Sequence, residues 1–496
     1  MRERIKVSPC EEVLQYLFRP AIANDLKRSY QTIVKVNHAH VLMLLEENII
    51  DLATAKKIIA VNKEIAGMQA APVFEIDTDR EDLYFNMEKY LIDQTDIHVG
   101  GQQHTARSRN DMLATITRMD TRTIYFKLTE IFLDLRAAIL KMAAANKDAY
   151  MSGYTHLQPS EPTTFGAYLS AVGSALERDY RRFANAYLSL NICPLGGCAV
   201  ASTSFPINRK TTASLLGFDK TITSSIDCVA SRDFALEIMN SLSMMSNTLS
   251  RLAQDLYVWT TPDFNYVEMD GSVAACSSIM PQKKNPITLE HIKAKAAHLE
   301  GIAVSLFSAM KNVAFTHSRD ISAESLRFFW YGLDEAEATM KLALATVSTL
   351  TTNKEIMYKK AKENFCAVTE LANYLVRYDK ISFRAAHEIV GTIVVKMMDK
   401  NATSDMITYN DVNEVCQELF SFNTSLTQEL INQALDPKEN VCAKKYEGGS
   451  APEEVTRQLE LLEATLAADK ALYQERAAKV QAAAAAMEAK ITAILA

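Results

Sequence analysis

Chain breakers are scarce in this sequence, which carries 15 Gly and 12 Pro among 496 residues. So few interruptions over such a length point to long, unbroken helices. Paired metal ligands are missing as well. The eight cysteines, at 10, 193, 198, 228, 276, 366, 416 and 442, form no C-x-x-C pair, and no histidine cluster has zinc spacing. A metal site is therefore not expected, and scattered free thiols suit a reducing cytosol. No run approaches 18 uncharged apolar residues, and the start MRERIKVSPCEEV has no apolar leader core. A net charge of -7 gives no reason to expect nucleic acid as a partner. The expectation is a soluble, cytoplasmic protein of two or three domains, since the length exceeds what one core usually serves.

What the chain does have is helical periodicity. Over 232–260, Phe234, Ile238, Leu242, Met245, Leu249, Leu252, Leu256 and Trp259 follow one another at spacings of three and four. This near-heptad stripe requires partner helices to bury it. Similar length and amphipathicity recur in 112–148, 163–190, 286–313 and 326–351, so five long helices predict a bundle. The segments 194–206 and 261–286 interrupt it, and a loop is expected at 97–109. Beyond about 353 the units shorten. The Ala-rich tail opens on Pro452, with Glu453 and Glu454 in a favourable first turn, and reads as helix.

Three polar segments lie between or at the ends of these helices. His104-Thr105-Ala106-Arg107-Ser108-Arg109-Asn110-Asp111 gathers guanidinium, hydroxyl and amide donors just before a helix, where free backbone N–H groups also favour an anion. The competing reading is a capping turn with solvated arginines. Tyr154-Thr155-His156-Leu157-Gln158-Pro159 offers a Thr-His pair on a loop, with a histidine that titrates near neutrality. A structural hydrogen bond is the ordinary alternative for that histidine. The third, Cys276 to Pro286, packs two hydroxyls, two ammonium groups and a carboxamide into eleven residues. It reads either as a lid over an anion or as a mobile basic loop.

Together these segments resemble a known family. CSSIMPQKKNP is nearly the GSSxMPxKxN signature of the aspartase/fumarase superfamily, and HTARSRND and GYTHLQP resemble its argininosuccinate lyase branch. PLGGCAVASTSFPINR (194–209), SRDF (231–234), ELANYLVR, FRAAHEIVG and GGSAPEEV extend the likeness nearly end to end. The resemblance implies an all-α, three-domain fold with a central long-helix bundle, divided at 1–111, 112–354 and 355–496. It implies a homotetramer whose active sites each draw on three subunits, which would explain a stripe that one chain could not fully bury. It also implies anti elimination of fumarate from a succinyl compound, with no cofactor.

By the same resemblance Ser277 is the base, and Lys283 and Asn285 stabilise the doubly charged aci-carboxylate. Ser108, Asn110 and Thr155 hold the succinyl carboxylates, with Arg109 close by. His156 orients groups or relays a proton to the leaving nitrogen. Ser278, Met280 and Arg232 complete the substrate contacts. A non-enzymatic member, of the kind that serves as a lens structural protein, is the reading from another class.

Four departures stand out. The signature glycine is Cys276, the family's EDIH reads Glu81-Asp82-Leu83-Tyr84, and the early W-GGRF stretch has no counterpart. The fourth is the segment resembling AYNKDLQEDK, whose Tyr, Gln and Lys hold arginine in the family. Here those positions are His317, Ser322 and Ser325. The fumarate half looks preserved and the amine half rebuilt, so the amine released need not be arginine. An ethylenediamine disuccinate-type aminocarboxylic acid is the specific alternative, since polar contacts carry specificity.

Overall fold

The computed structural model describes residues 7–69 and 71–496; most of the basic start read above lies outside the described residues. Helical turns over 11–29 lead into α1 (Tyr30–Glu46), which is followed by α2 (Leu52–Met68) and α3 (Leu83–Gln94). Asp51 and Asp82 begin α2 and α3 by accepting hydrogen bonds from Thr54 N at 2.7 Å and Phe85 N at 3.0 Å. The centre consists of α4 (Arg109–Ala145), α5 (Phe165–Leu190), α6 (Asp233–Trp259), α7 (Ile287–Met310) and α8 (Phe329–Thr349). The five helices match those expected from periodicity to within a few residues at each end. Shorter helices follow, among them α9 (Phe383–Asp399) and α10 (Tyr409–Phe420), before the tail helix α11 (Pro452–Leu495).

All eight stripe residues of α6 are buried, packed among α5, α7 and α8 of the same chain. This corrects the expectation that one chain could not cover them. The apolar side chains left exposed lie on other faces, including Leu188, Met244, Val304, Phe307 and Tyr331. Three apolar clusters form. One fills the five-helix bundle, one gathers α1, α2, α3 and the 193–218 region, and one lies among the helices from Leu371 to Leu435.

α11 has 44 residues and, at 1.5 Å per residue, runs for about 66 Å. It lies along α4 and α5, and its end inserts Met487 and Ile491 into the α1–α3 cluster. Arg136, almost wholly buried, pairs with Asp469 at 2.6 Å, and Lys63 pairs with Glu488 at 2.8 Å. Among the described residues, no helix is long and apolar enough to cross a membrane.

Short strands decorate this helical frame. β1 (Tyr150–Thr155) and β2 (Gln158–Thr164) form an antiparallel hairpin whose register slips between Ser152 and Tyr154. At that slip Gly153 lies close against the chain: a Cβ there would sit 2.8 Å from Glu161 O. Ala275–Cys276 (β3) pairs with Lys284–Asn285 (β4).

Candidate active site

Ser108 is the N-cap of α4. Its Oγ accepts from Asn110 N at 3.2 Å, and its own N–H donates to Asp111 Oδ1 at 3.1 Å, a reciprocal capping box. Asp111 Oδ2 also accepts from Gly196 N at 2.8 Å and Cys198 N at 2.9 Å. Burial raises this carboxyl to about 6, against the lowering effect of those backbone donors. Asn110 Nδ2 donates to Ala199 O at 3.1 Å. The 194–202 loop is thereby tied to the start of α4, and Asp111, which holds the junction, carried no role in the motif reading. Arg109 stacks 4.0 Å over Phe85 and pairs with Glu81 at 3.1 Å and Asp82 at 2.8 Å. Its charge is largely matched within the chain.

Behind this segment lies a polar hub at the position where the family's EDIH has histidine. Tyr84 Oη donates to Glu88 at 2.8 Å, receives Arg107 Nη2 at 3.1 Å and lies 2.7 Å from His104 Nδ1. Because the tyrosine proton goes to Glu88, the His104 contact requires the imidazole proton on Nδ1. Nε2 is then an acceptor. Burial, with Arg107 and Arg109 nearby, holds His104 near 4, so the ring stays neutral.

Thr155 and Gln158 pair across the hairpin, and His156 and Leu157 form its two-residue tip with φ of +55° and +58°. Two left-handed residues in succession are the signature of a type I′ turn. The tip is exposed. The Thr-His pair therefore stands on a hairpin instead of the loop expected.

The 276–285 segment is a hairpin, the one read above as a lid. Ser277 Oγ accepts from Ile279 N at 3.3 Å and Met280 N at 3.0 Å. Lys283 N donates to Met280 O at 3.1 Å, closing the turn. Lys284 pairs with Glu268 at 3.1 Å, and Asn285 Nδ2 reaches Cys276 O at 3.5 Å. Ser278, Met280 and Lys283 are exposed, as is Ile279 at 82%. Cys276 lies in the extended β3 and is not among the positive-φ residues, so its backbone does not need glycine.

The amine-half positions behave differently. His317 Nδ1 and Ser322 Oγ are buried without a hydrogen-bond partner, and so are Nε and Nη2 of Arg232. Arg232 is 1% exposed, and Nη1 donates to Ser231 O at 2.8 Å and Val229 O at 3.4 Å. Burial, then the neighbouring Arg118, lowers its guanidinium to about 9. Burial, followed by Arg232, Arg319 and Arg109, holds His317 near 4. Ser325 Oγ donates to Ile321 O at 2.8 Å and is satisfied within its own turn.

Within one chain the charges of Arg232, Arg319 and Arg109 thus all act on His317. Among the described residues, no hydrogen bond or ion pair joins these to the lid or to the hairpin tip.

A family model described as lyase matches residues 23–301, and one described as argininosuccinate lyase C-terminal matches 365–442. Argininosuccinate lyase 1 of Shouchella clausii is 47% identical over 94% of this chain and 93% of its own length. An argininosuccinate lyase of Methanococcus maripaludis is 36% identical over 97% of each. Among solved structures, an EDDS lyase in complex with formate superposes with a TM-score of 0.87 at 29% identity, covering 99% of this chain and 97% of that one. A class II fumarase from Schistosoma mansoni, at 14% identity and a TM-score of 0.66 over 84% of this chain and 93% of its own, shares the fold.

Proposed function

This chain belongs to the argininosuccinate lyase family and is a carbon–nitrogen lyase that releases fumarate from an N-substituted aspartate; we propose how its residues divide that work. Removing the proton next to a carboxylate leaves a doubly charged aci-carboxylate, which needs positive donors where the charge develops. Lys283 and Asn285 supply them from the lid, and Ser277 takes the proton. A serine hydroxyl is an unpromising base, and the observation that supports it here is the pair of backbone N–H groups on Ser277 Oγ. Donors aimed at that oxygen favour its anionic form. Closure of the lid over a bound dianion would remove water and strengthen the same effect.

Ser108, Asn110 and Thr155 hold the succinyl carboxylates. Ser108 Oγ accepts from the helix and keeps its own proton to donate. Arg109, already paired with Glu81 and Asp82, lies close by and shapes the site. His156, raised on the hairpin tip, serves the leaving nitrogen, with Ser278 and Met280 closing over the substrate.

Four copies assembled as a homotetramer would bring lid, tip and helix-start segments together from three subunits. Support comes from the absence, among the described residues, of any hydrogen bond or ion pair joining them within one chain, and from the exposed apolar residues Val304, Phe307 and Tyr331. We place the protein in the cytoplasm, in keeping with eight free cysteines. The chain divides at 1–111, 112–354 and 355–496; the three apolar clusters follow this division except that 193–218 and the end of α11 cross into the first, and Val455, Leu459 and Leu466 at the start of α11 join the bundle.

A second reading, release of an amine other than arginine as in EDDS lyase, is favoured by His317, Ser322 and Ser325 in the amine half. The test of the lyase reading is direct. Wild type should generate fumarate, seen by its ultraviolet absorbance, from an N-substituted aspartate, and Ser277→Ala should not. A folded wild type inert toward every such substrate would instead favour a crystallin-like structural protein.

A further inference from the structure

Tyr154 is the last partly covered residue of β1 before an exposed tip, Thr155 to Pro159. Two strands alone hold a hairpin only marginally in water, so whatever grips the strands sets where Thr155 and His156 stand. On β2 the grip is Lys444, which donates to Pro162 O at 2.8 Å and pairs with Glu161 at 3.3 Å. On β1 it is Tyr154, whose Oη lies 2.7 Å from Tyr266 Oη, one hydroxyl donating to the other.

Tyr266 is a fixed point. It is 0% exposed, its N–H donates to Trp259 O at the end of α6 at 3.0 Å, and its carbonyl accepts from Asn353 N at 2.9 Å. The Phe264 ring packs against both tyrosines, with centroids 5.6 Å from Tyr154 and 5.5 Å from Tyr266. Ser152, buried on the same strand as Tyr154, lies beside both hydroxyls and receives Asn364 Nδ2 at 2.8 Å. The slip in register falls between Ser152 and Tyr154, so the strand bends where it is gripped. Past Tyr266 the chain pairs Val267–Glu268 with Thr351–Thr352, and Glu268 is the partner of Lys284 in the lid. The hairpin is thus bonded to the foot of the lid. Phenylalanine would meet the ring packing at either position. What the hydroxyls add is direction, because a hydrogen bond fixes where the strand end points.

We propose that the Tyr154–Tyr266 hydroxyl bridge is a positioning unit that sets the height and direction of the Thr155-His156 tip from the foot of the lid. Neither tyrosine touches substrate; both act through Thr155 and His156. The inference rests on the assignment of those two residues to the site and extends it to Tyr266, which lies outside every motif quoted above.

The experiment measures fumarate release and thermal midpoints for Tyr154→Phe, Tyr266→Phe and the double variant, with an N-substituted aspartate that the wild type cleaves. Each single variant should lose about 10- to 100-fold in kcat/KM, since a displacement of order 1 Å in a positioned group suffices for that. The double should fall within about threefold of the weaker single, because both substitutions remove one bond. Tyr125→Phe supplies the structural comparison. It removes a buried hydroxyl bond to Phe183 O, 3.2 Å long, inside the bundle. Its kcat/KM should stay within about twofold of wild type even where its midpoint falls, since a cost to stability alone leaves the folded site unchanged. A second cycle uses Thr155→Val, on which the loss from Tyr266→Phe should shrink by at least about threefold, one of the contacts it positions being already gone. A wild-type kcat/KM in Tyr266→Phe overturns the bridge while leaving the lyase intact. Losses that multiply in full with those of Tyr154→Phe or Thr155→Val overturn it too. A wild-type kcat/KM in Thr155→Val overturns the assignment of the tip and the inference with it. Absence of fumarate from wild type with every N-substituted aspartate would overturn the lyase reading itself, a distinguishable result.

Discussion

The lid and the amine pocket hold their polar groups in opposite ways. In the lid, Ser278 and Lys283 are exposed, and Ser277 Oγ accepts from the backbone N–H groups of Ile279 and Met280. Water can serve the exposed groups, so holding them costs the fold little. In the pocket, Arg232, His317 and Ser322 keep buried atoms without partners. Each such atom carries a cost of roughly 1–3 kcal/mol unless an ordered water, a ligand or another subunit satisfies it. On the proposed division of roles, the groups that break the bond sit on an exposed hairpin, whereas those of the amine half keep polar atoms buried. Substitutions in the lid should therefore change rate and spare stability, and those in the interior should do the reverse or both.

The largest expected effect is in the lid. Lys283→Met should reduce kcat by about 10²- to 10³-fold, the usual loss when a preorganised donor is removed from developing charge. Its thermal midpoint should match wild type, because Lys283 is exposed and has no ion pair among the described residues. Steady-state fumarate assays and thermal melts check both halves. A midpoint lowered by several degrees would break the contrast.

Tyr84→Phe probes the interior in a smaller way. The ring still fits, but Glu88, Arg107 and His104 lose the hydroxyl that joins them. Urea unfolding should show a loss of about 1–3 kcal/mol. The rate should fall less than in Lys283→Met, since the hub acts through the position of 104–111. A neutral outcome in urea would mean that water replaces the hydroxyl and that the hub is wetter than its burial implies.

These contrasts were legible in the sequence to different depths. Scarce glycine and proline placed all five bundle helices, because a helix is decided by local spacing. The stripe on α6 gave its buried face correctly but not its partner, since periodicity does not say which helix, or whose, packs against it. The hairpin at 150–164 was hidden by Pro159 and Pro162, which weaken a strand pattern yet sit in β2. Tyr84 was visible as a departure from the family, but its bond to His104, twenty residues on, is a tertiary fact. Ser325, taken as a substrate contact, bonds to Ile321 O, a local option open to any serine in a helical turn. The segments proposed as lid, tip and helix start could each be picked out by motif, because their residues are consecutive in the sequence.

His317→Asn gives the smallest effect and the most direct reading of the pocket before any ligand is added. The His317 pKa lies near 4 in the folded chain, below the ordinary 6.5 that it regains on unfolding. Above pH 6.5 the ring is neutral in both states, and its contribution to stability is fully present. As the pH falls toward 4 the unfolded chain takes up a proton that the folded chain refuses, and that contribution is lost. Asparagine cannot titrate, so the variant escapes this loss. The stability difference between wild type and variant should therefore shift in the variant's favour by about 1–2 kcal/mol between pH 6.5 and 4, a figure already reduced for the partial exposure of the ring. Asp25, Asp111 and Asp120, raised to between about 6 and 7, act equally on both proteins and cancel in the difference. A difference that stays constant with pH would show that His317 protonates freely in the folded chain, and the pocket would then be no drier than the lid.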